Sequence, residues 1–234
     1  MKYKIADIIT EYTPMYGNLR LFSATFIYKG ERPVQISLSV TDSQIENTKK
    51  RMVGNTSPGS IENFLYSCEF NRAVIKHNAM LIHSSGIICN NGAYLFSAAS
   101  GVGKSTHTRL WLREFGDEVH IFNDDKPVVR IDGDQAVAFG TPFDGDSGIA
   151  LNESAPLKAV VFLERGEHNS VRLPDNKEII QKLYFQTAHM VSAETAQAML
   201  SNFDELLKSD VRFYVLTCNM EPEAAHVSRE AIVK

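Results

Sequence analysis

The segment Ala98-Ala99-Ser100-Gly101-Val102-Gly103-Lys104-Ser105-Thr106 concentrates residue types that suit a polyphosphate. Gly101 and Gly103 permit a tight turn whose successive N–H groups face one point, a nest for an anion. A helix starting there adds its positive end. Lys104 would reach the β- and γ-phosphates, and the Ser105 hydroxyl would serve Mg2+. The general pattern is G-x-x-x-x-G-K-[ST], and Ala98 stands at its first glycine. If that position requires positive φ, alanine costs about 1–2 kcal/mol there.

A second cluster lies about 20 residues on, where Asn123-Asp124-Asp125 follows the apolar run Val119–Phe122. A carboxylate at a strand end beside a phosphate loop holds Mg2+ directly or through water. A second carboxylate exceeds what the metal needs and could take the proton of an attacking hydroxyl. His83 lies in the strand-like run before the loop. Arg165, ending an apolar run, is either a transition-state cation or a surface residue. The glycine-rich stretch 140–148, with Asp146, is either a functional loop or a connection.

These residues need elements to position them. Leu81–Ser97 reads as two strands around an Asn-Asn-Gly turn at 90–92, Lys104–Phe115 as a helix stopped by Gly116, and Lys126–Ile131 with Ala136–Gly140 as a hairpin. Residues 158–164 and 212–217 read as strands, and 60–78, 176–188, 193–208 and 221–233 as helices. Upstream, 3–10, 19–28 and 33–40 alternate as strands, and Thr41–Met52 is a capped helix. The mixture implies an α/β fold. A strand-rich lobe at 1–58 would precede a phosphate-loop domain at 59–234, joined by a linker near 51–60, unless the two form one continuous domain.

Composition narrows the function. In 234 residues, 44% are hydrophobic and 22% charged, enough for an ordinary core. Twenty-four Lys and Arg against 28 Asp and Glu leave a net charge of −4, which argues against a nucleic-acid partner. No guanine-reading Asn/Thr-Lys-x-Asp segment is present, which disfavours a GTPase. Cys68, Cys89 and Cys218 have no ligand spacing and read as free thiols of a reducing compartment. With no signal-like start and no apolar run of about 20 residues, the expectation is a cytoplasmic protein without a membrane partner.

Leu81-Ile82-His83-Ser84-Ser85-Gly86-Ile87, then Gly92-Ala93-Tyr94-Leu95-Phe96-Ser97, then Ser100–Thr106, then Asn123-Asp124-Asp125 together resemble the HPr kinase / phosphoenolpyruvate carboxykinase superfamily. The resemblance is to its small HPr-kinase-related bacterial branch. It covers 80–131 well and 136–165 loosely. It implies a phosphate-loop core of that family's C-terminal type, ATP with Mg2+, and phosphoryl transfer to a serine-type hydroxyl on a protein, peptide or small molecule. By position it implies Lys104 on phosphate, Ser105 and Asp125 on the metal, Asp124 as base, and His83 near the transferred group. It also hints at self-association. Neither the segment for the reverse, phosphorolytic reaction nor the carboxykinase manganese site maps onto this chain. The alternative is a nucleotide-binding sensor or assembly module that transfers nothing.

Overall fold

Short alternating runs open the chain as β1 (Lys2–Ile5) and β2 (Ile8–Glu11), paired antiparallel around Ala6-Asp7. A computed structural model of the chain describes residues 1–52, 54, 56–145, 147–187 and 193–233, without the side chains of 193 and 194. Asp146 and the end of the helix expected at 176–188 therefore lie outside the described residues.

The next expected strand, 19–28, is not a strand. Gly17–Ser23 is helix α1, continued by a 3-10 turn over Ala24–Phe26. Leu19, Ser23 and Phe26 are buried, a spacing of four and three, while the Leu21 that completed the apparent alternation is 71% exposed. The period is helical, and the alternation was coincidental. In 33–40 only β3 (Ile36–Ser37) pairs, parallel to β2. Pro33 supplies no N–H to a longer ladder. The N-terminal region thus holds less strand than expected.

Helix α2 (Asp42–Lys49) starts where the sequence places it, because Thr41 and Gln44 form a reciprocal capping box. Helix α3 (Pro58–Val74) follows, with Ser57 as cap and proline in the first turn. The buried Glu62 carboxylate accepts the N–H groups of Met15 and Tyr16, at 2.5 and 3.0 Å, and ties the entry of α1 to α3. Tyr3, Leu19, Ile45 and Phe70 pack in one cluster with Leu81, Val128 and Phe143, so apolar contact crosses residue 58.

The larger sheet begins with β4 (Ala79–Leu81), β5 (Ser84–Cys89) and β6 (Gly92–Ser97). Asn90 and Asn91 turn the β5–β6 hairpin with φ of 49° and 60°, the paired left-handed conformations such a turn needs. Helix α4 (Lys104–Phe115) leaves β6 through the glycine-rich loop. Then come β7 (Val119–Asp125), β8 (Val128–Asp132), β9 (Gln135–Phe139), β10 (Ser154–Arg165) and β11 (Ser170–Arg172). Helices α5 (Asn176–Thr187) and α6 (Ala193–Lys208), strand β12 (Arg212–Cys218) and helix α7 (Glu223–Ile232) complete the described chain.

The nine strands run β4-β8-β9-β10-β6-β5-β7, with β12 also on β10 and β11 on β12. Strand β10 curls the sheet, because residues 154–156 pair antiparallel with β9 and the rest lies parallel to β6 and β12. Its side chains alternate between two covered faces. Ala159, Val161 and Leu163 join Trp111 and Ala225, on the side of α4 and α7. Val160 and Phe162 join Leu183 and Phe203, on the side of α5 and α6. The fold is mixed α/β, a curled sheet with seven helices among the described residues.

Candidate functional site

Strand register brings the two chemical clusters together. Ser97, where β6 hands over to the loop, lies opposite Ser84, and Ser84 lies opposite Asp125 at the end of β7. Ser85 likewise stands between Phe96 and Asp124. The bulge in β7 opposite Gly86 and Ile87 lets Phe122 cross Gly86. A Cβ on Gly86 would meet the Phe122 ring at 2.6 Å, so only glycine fits. Ser85 Oγ and Thr108 Oγ1, 2.8 Å apart, fasten the first turns of α4 to β5.

The loop carries the backbone its glycines suggest. Gly101 and Gly103 have φ of 77° and 126°, with open space where a Cβ would sit. Their requirement is conformational, not steric. The N–H groups of Ser100, Gly101 and Gly103 take no protein acceptor among the described residues, whereas Val102 N–H donates to Ala99 O at 3.3 Å. Ala98 is not among the positive-φ residues, and its side chain is buried against the core beside α4. The alanine in place of the first glycine therefore carries no backbone strain.

A cleft of about 430 Å³ opens over this loop. Ser100, Gly101, Gly103, Lys104, Ser105 and Thr106 line one side. His83, Asp124 and Asp125 line the other. Ala99 and Val102 of the expected set do not face it. Lys104 Nζ donates to Ala98 O at 3.1 Å, and burial pushes its pKa down against the opposing pull of Asp125 and Asp124.

The two aspartates sit in different surroundings. Ser105 Oγ donates to Asp124 Oδ1 at 2.8 Å. The other oxygen, Asp124 Oδ2, is buried without a partner among the described residues, and the residue is 4% exposed. A buried carboxylate oxygen without a donor is costly unless a cation takes it. Asp125 Oδ1 lies 3.3 Å from His83 Nε2, and its Oδ2 pairs with Lys126 Nζ. Burial alone would raise the Asp125 carboxyl, but the His83 bond and the Lys126 charge outweigh it and hold it at about 2.

Several participants had weak sequence signals or none. Gln186, 103 residues from His83, accepts His83 N–H through its carbonyl at 3.0 Å and places Oε1 3.0 Å from Nδ1. Arg109 lines the cleft one turn beyond Ser105, a spacing the helical period could have flagged. The described residues of the 140–148 stretch fold onto Asp125, with Asp144 bridged to it antiparallel. Asn123 Nδ2 donates to Thr141 O at 2.9 Å, and Thr141 Oγ1 to Lys126 O at 2.8 Å. A Cβ on Gly145 would meet Asp125 Cγ at 2.9 Å. Within the stretch, Asp144 accepts Ser147 Oγ at 2.5 Å and Gly148 N–H at 2.7 Å. Burial raises its pKa against those bonds. Arg165 stands outside the cleft and donates to the carbonyls of Gly101 and Val102, so it braces the loop.

No group of three or more His, Cys, Asp or Glu arranged for a metal occurs among the described residues. The donors on hand, one carboxylate oxygen and one hydroxyl, fit a cation that completes its shell with phosphate and water, as Mg2+ does. None of the described helices is long and apolar enough to cross a membrane.

No protein-family model matches the sequence, and no curated protein does. Among solved structures the chain is similar to the HPr(Ser) kinase/phosphatase from Coxiella burnetii, at 12% identity and a TM-score of 0.40, over 64% of this chain and 95% of that one. Likeness at that level is partial and says nothing of chemistry, which rests on the cleft.

Proposed function

We propose that the chain is a kinase that moves a phosphoryl group from ATP to a hydroxyl-bearing, serine-type acceptor. One observation carries the reading. The Ser105–Asp124 pair, with its unpartnered Asp124 Oδ2, sits in the same cleft as Lys104 and the free loop N–H groups. In this reading Ser100, Gly101, Gly103 and the N-terminus of α4 take the polyphosphate oxygens. Lys104 exchanges the Ala98 carbonyl for phosphate. Ser105 and Asp124 hold Mg2+, which when bound offsets charge on the phosphates.

Asp125 faces the acceptor. Held at about 2, it stays ionised at any working pH and is a weak base. Such a carboxylate aligns a hydroxyl and takes its proton late, which suits a loose phosphoryl-transfer transition state. His83 and Lys126 fix its orientation, and Gln186 fixes His83. This exchanges the two roles expected from the sequence, with Asp124 on the metal and Asp125 toward the acceptor.

The test is ATP binding and phosphoryl transfer with Mg2+ in the wild type, Lys104→Ala and Asp124→Asn, using mass spectrometry to find phosphorylated products in cell extract. Each substitution is expected to lower transfer about 10²–10³-fold, the range for one lost transition-state contact. Unaltered transfer in both variants refutes the assignment. Tight ATP binding without turnover across a broad acceptor panel favours a sensor or assembly module.

A further inference from the structure

Ser147 has the surroundings of a nucleophile. It is half-buried on the wall of the phosphate cleft, which Lys104, Ser105, Asp124 and Asp125 also line. A serine hydroxyl carries one proton and two lone pairs. Ser147 Oγ gives its proton to Asp144 Oδ1 at 2.5 Å and accepts Ile149 N–H at 3.2 Å. One lone pair is left uncommitted among the described residues. Asp144 is itself buried and held, because its Oδ2 accepts Gly148 N–H at 2.7 Å and its carbonyl accepts Asn63 Nδ2 at 3.2 Å. A nucleophile on a base, and the base on an orienting donor, is the arrangement that activates a hydroxyl.

The turn that carries this pair is pressed against the chemical centre. Asp144 is bridged to Asp125, Gly145 leaves no room for a Cβ beside the Asp125 carboxyl, and neighbouring Asp124 holds Ser105. The two carboxylates differ in strength as bases. Asp125 is held at about 2, whereas burial raises Asp144 above the ordinary aspartate value. Asp144 is thus the better proton acceptor of the two. Arg109 lines the same cleft with no ion-pair partner among the described residues, so a cation is at hand for a phosphate formed there.

We propose that Ser147 is a phosphoryl acceptor for the cleft it lines, so that the chain phosphorylates itself in cis. The proposal rests on the phosphoryl-transfer reading above and names one acceptor for it. The bond from Ser147 Oγ to the γ-phosphorus of ATP forms as the bond from that phosphorus to the β,γ-bridging oxygen breaks. The hydroxyl proton passes to Asp144, and ADP leaves with the electron pair on its β-phosphate. Hydroxyl and phosphate held in one cleft make the step unimolecular.

The purified wild type is incubated with ATP and Mg2+ and no added acceptor, then digested and mapped by mass spectrometry, with ATP binding read by calorimetry. The expected product is phosphoserine at Ser147, formed with a rate constant that holds over about a tenfold range of protein concentration. Mapping on the unaltered protein removes any dependence on how a variant folds. Lys104→Ala is expected to lose the label, and Asp144→Asn to slow it about 10²–10⁴-fold. ATP bound with Ser147 unmodified overturns the self-acceptor and leaves the kinase reading, which transfer to an acceptor in cell extract tests separately. A label whose rate constant rises with protein concentration, or one that persists in Lys104→Ala, also overturns it. Absence of ATP binding overturns the kinase reading, and the self-acceptor with it.

Discussion

Acid should loosen the seat of helix α4 through a single histidine. His107 follows Lys104 by one turn and is 2% exposed. Its Nε2 lies 3.1 Å from Ser228 Oγ on α7, its ring 4.7 Å from that of Phe96, and its Nδ1 is buried without a partner among the described residues. Burial lowers its pKa from 6.5 to about 4. Because the folded value is depressed, the unfolded chain binds a proton that the folded chain refuses between those two values. Nothing is lost above pH 6.5, the loss grows as pH falls, and below about 4 it is complete. Linkage gives a loss of about 2 kcal/mol at about pH 5 and about 3 kcal/mol in full. His107→Gln removes the titration at any baseline stability. Urea unfolding of both proteins at about pH 7.5 and pH 5 reads the effect, and the wild type should lose about 2 kcal/mol more than the variant. Parallel losses would refute the reasoning.

Other outcomes follow from the site. Asp124→Asn removes a buried charge without a full set of donors, so the ligand-free protein should gain about 1 kcal/mol in urea unfolding while its Mg2+-dependent ATP affinity falls. A variant less stable than the wild type would contradict the orphaned oxygen. Gly145→Ala presses a methyl onto Asp125, so kcat should fall about tenfold or more with ATP affinity nearly unchanged, measured by steady-state kinetics beside calorimetry. Gly103→Ala meets no atom but must hold a φ of 126°, so the protein should lose about 1–2 kcal/mol and bind tripolyphosphate more weakly. Full retention of both would mean that the loop does not need that conformation.

Much of the frame was legible because it is decided locally. The helix cap at Thr41, the Asn90-Asn91 turn, the helix from Lys104 and the hairpin expected around Asp132-Gly133, which turns one residue later, each follow from residues a few positions apart. The same local reading erred at 19–28, where two periods competed over a short run and burial against α3 chose the helix. At Ala98 it left the cost conditional on a positive φ, since a glycine pattern does not say which position carries one, and the backbone there does not.

The sequence by itself determined a glycine-rich loop that enters a helix and a strand ending in two carboxylates, because turn chemistry and periodicity act over a few residues. Only the tertiary structure decided that β5 stands between them and carries Asp124 and Asp125 to the mouth of the loop. It also decided that Asp124 keeps a bare oxygen while Asp125 is claimed by His83 and Lys126, and that Gln186, Thr141, Asp144 and Gly145 close around them. Strand register and burial bring together residues as distant as His83 and Gln186, 103 positions apart, and no local pattern encodes which of two adjacent aspartates will lose its solvent and which will find a partner.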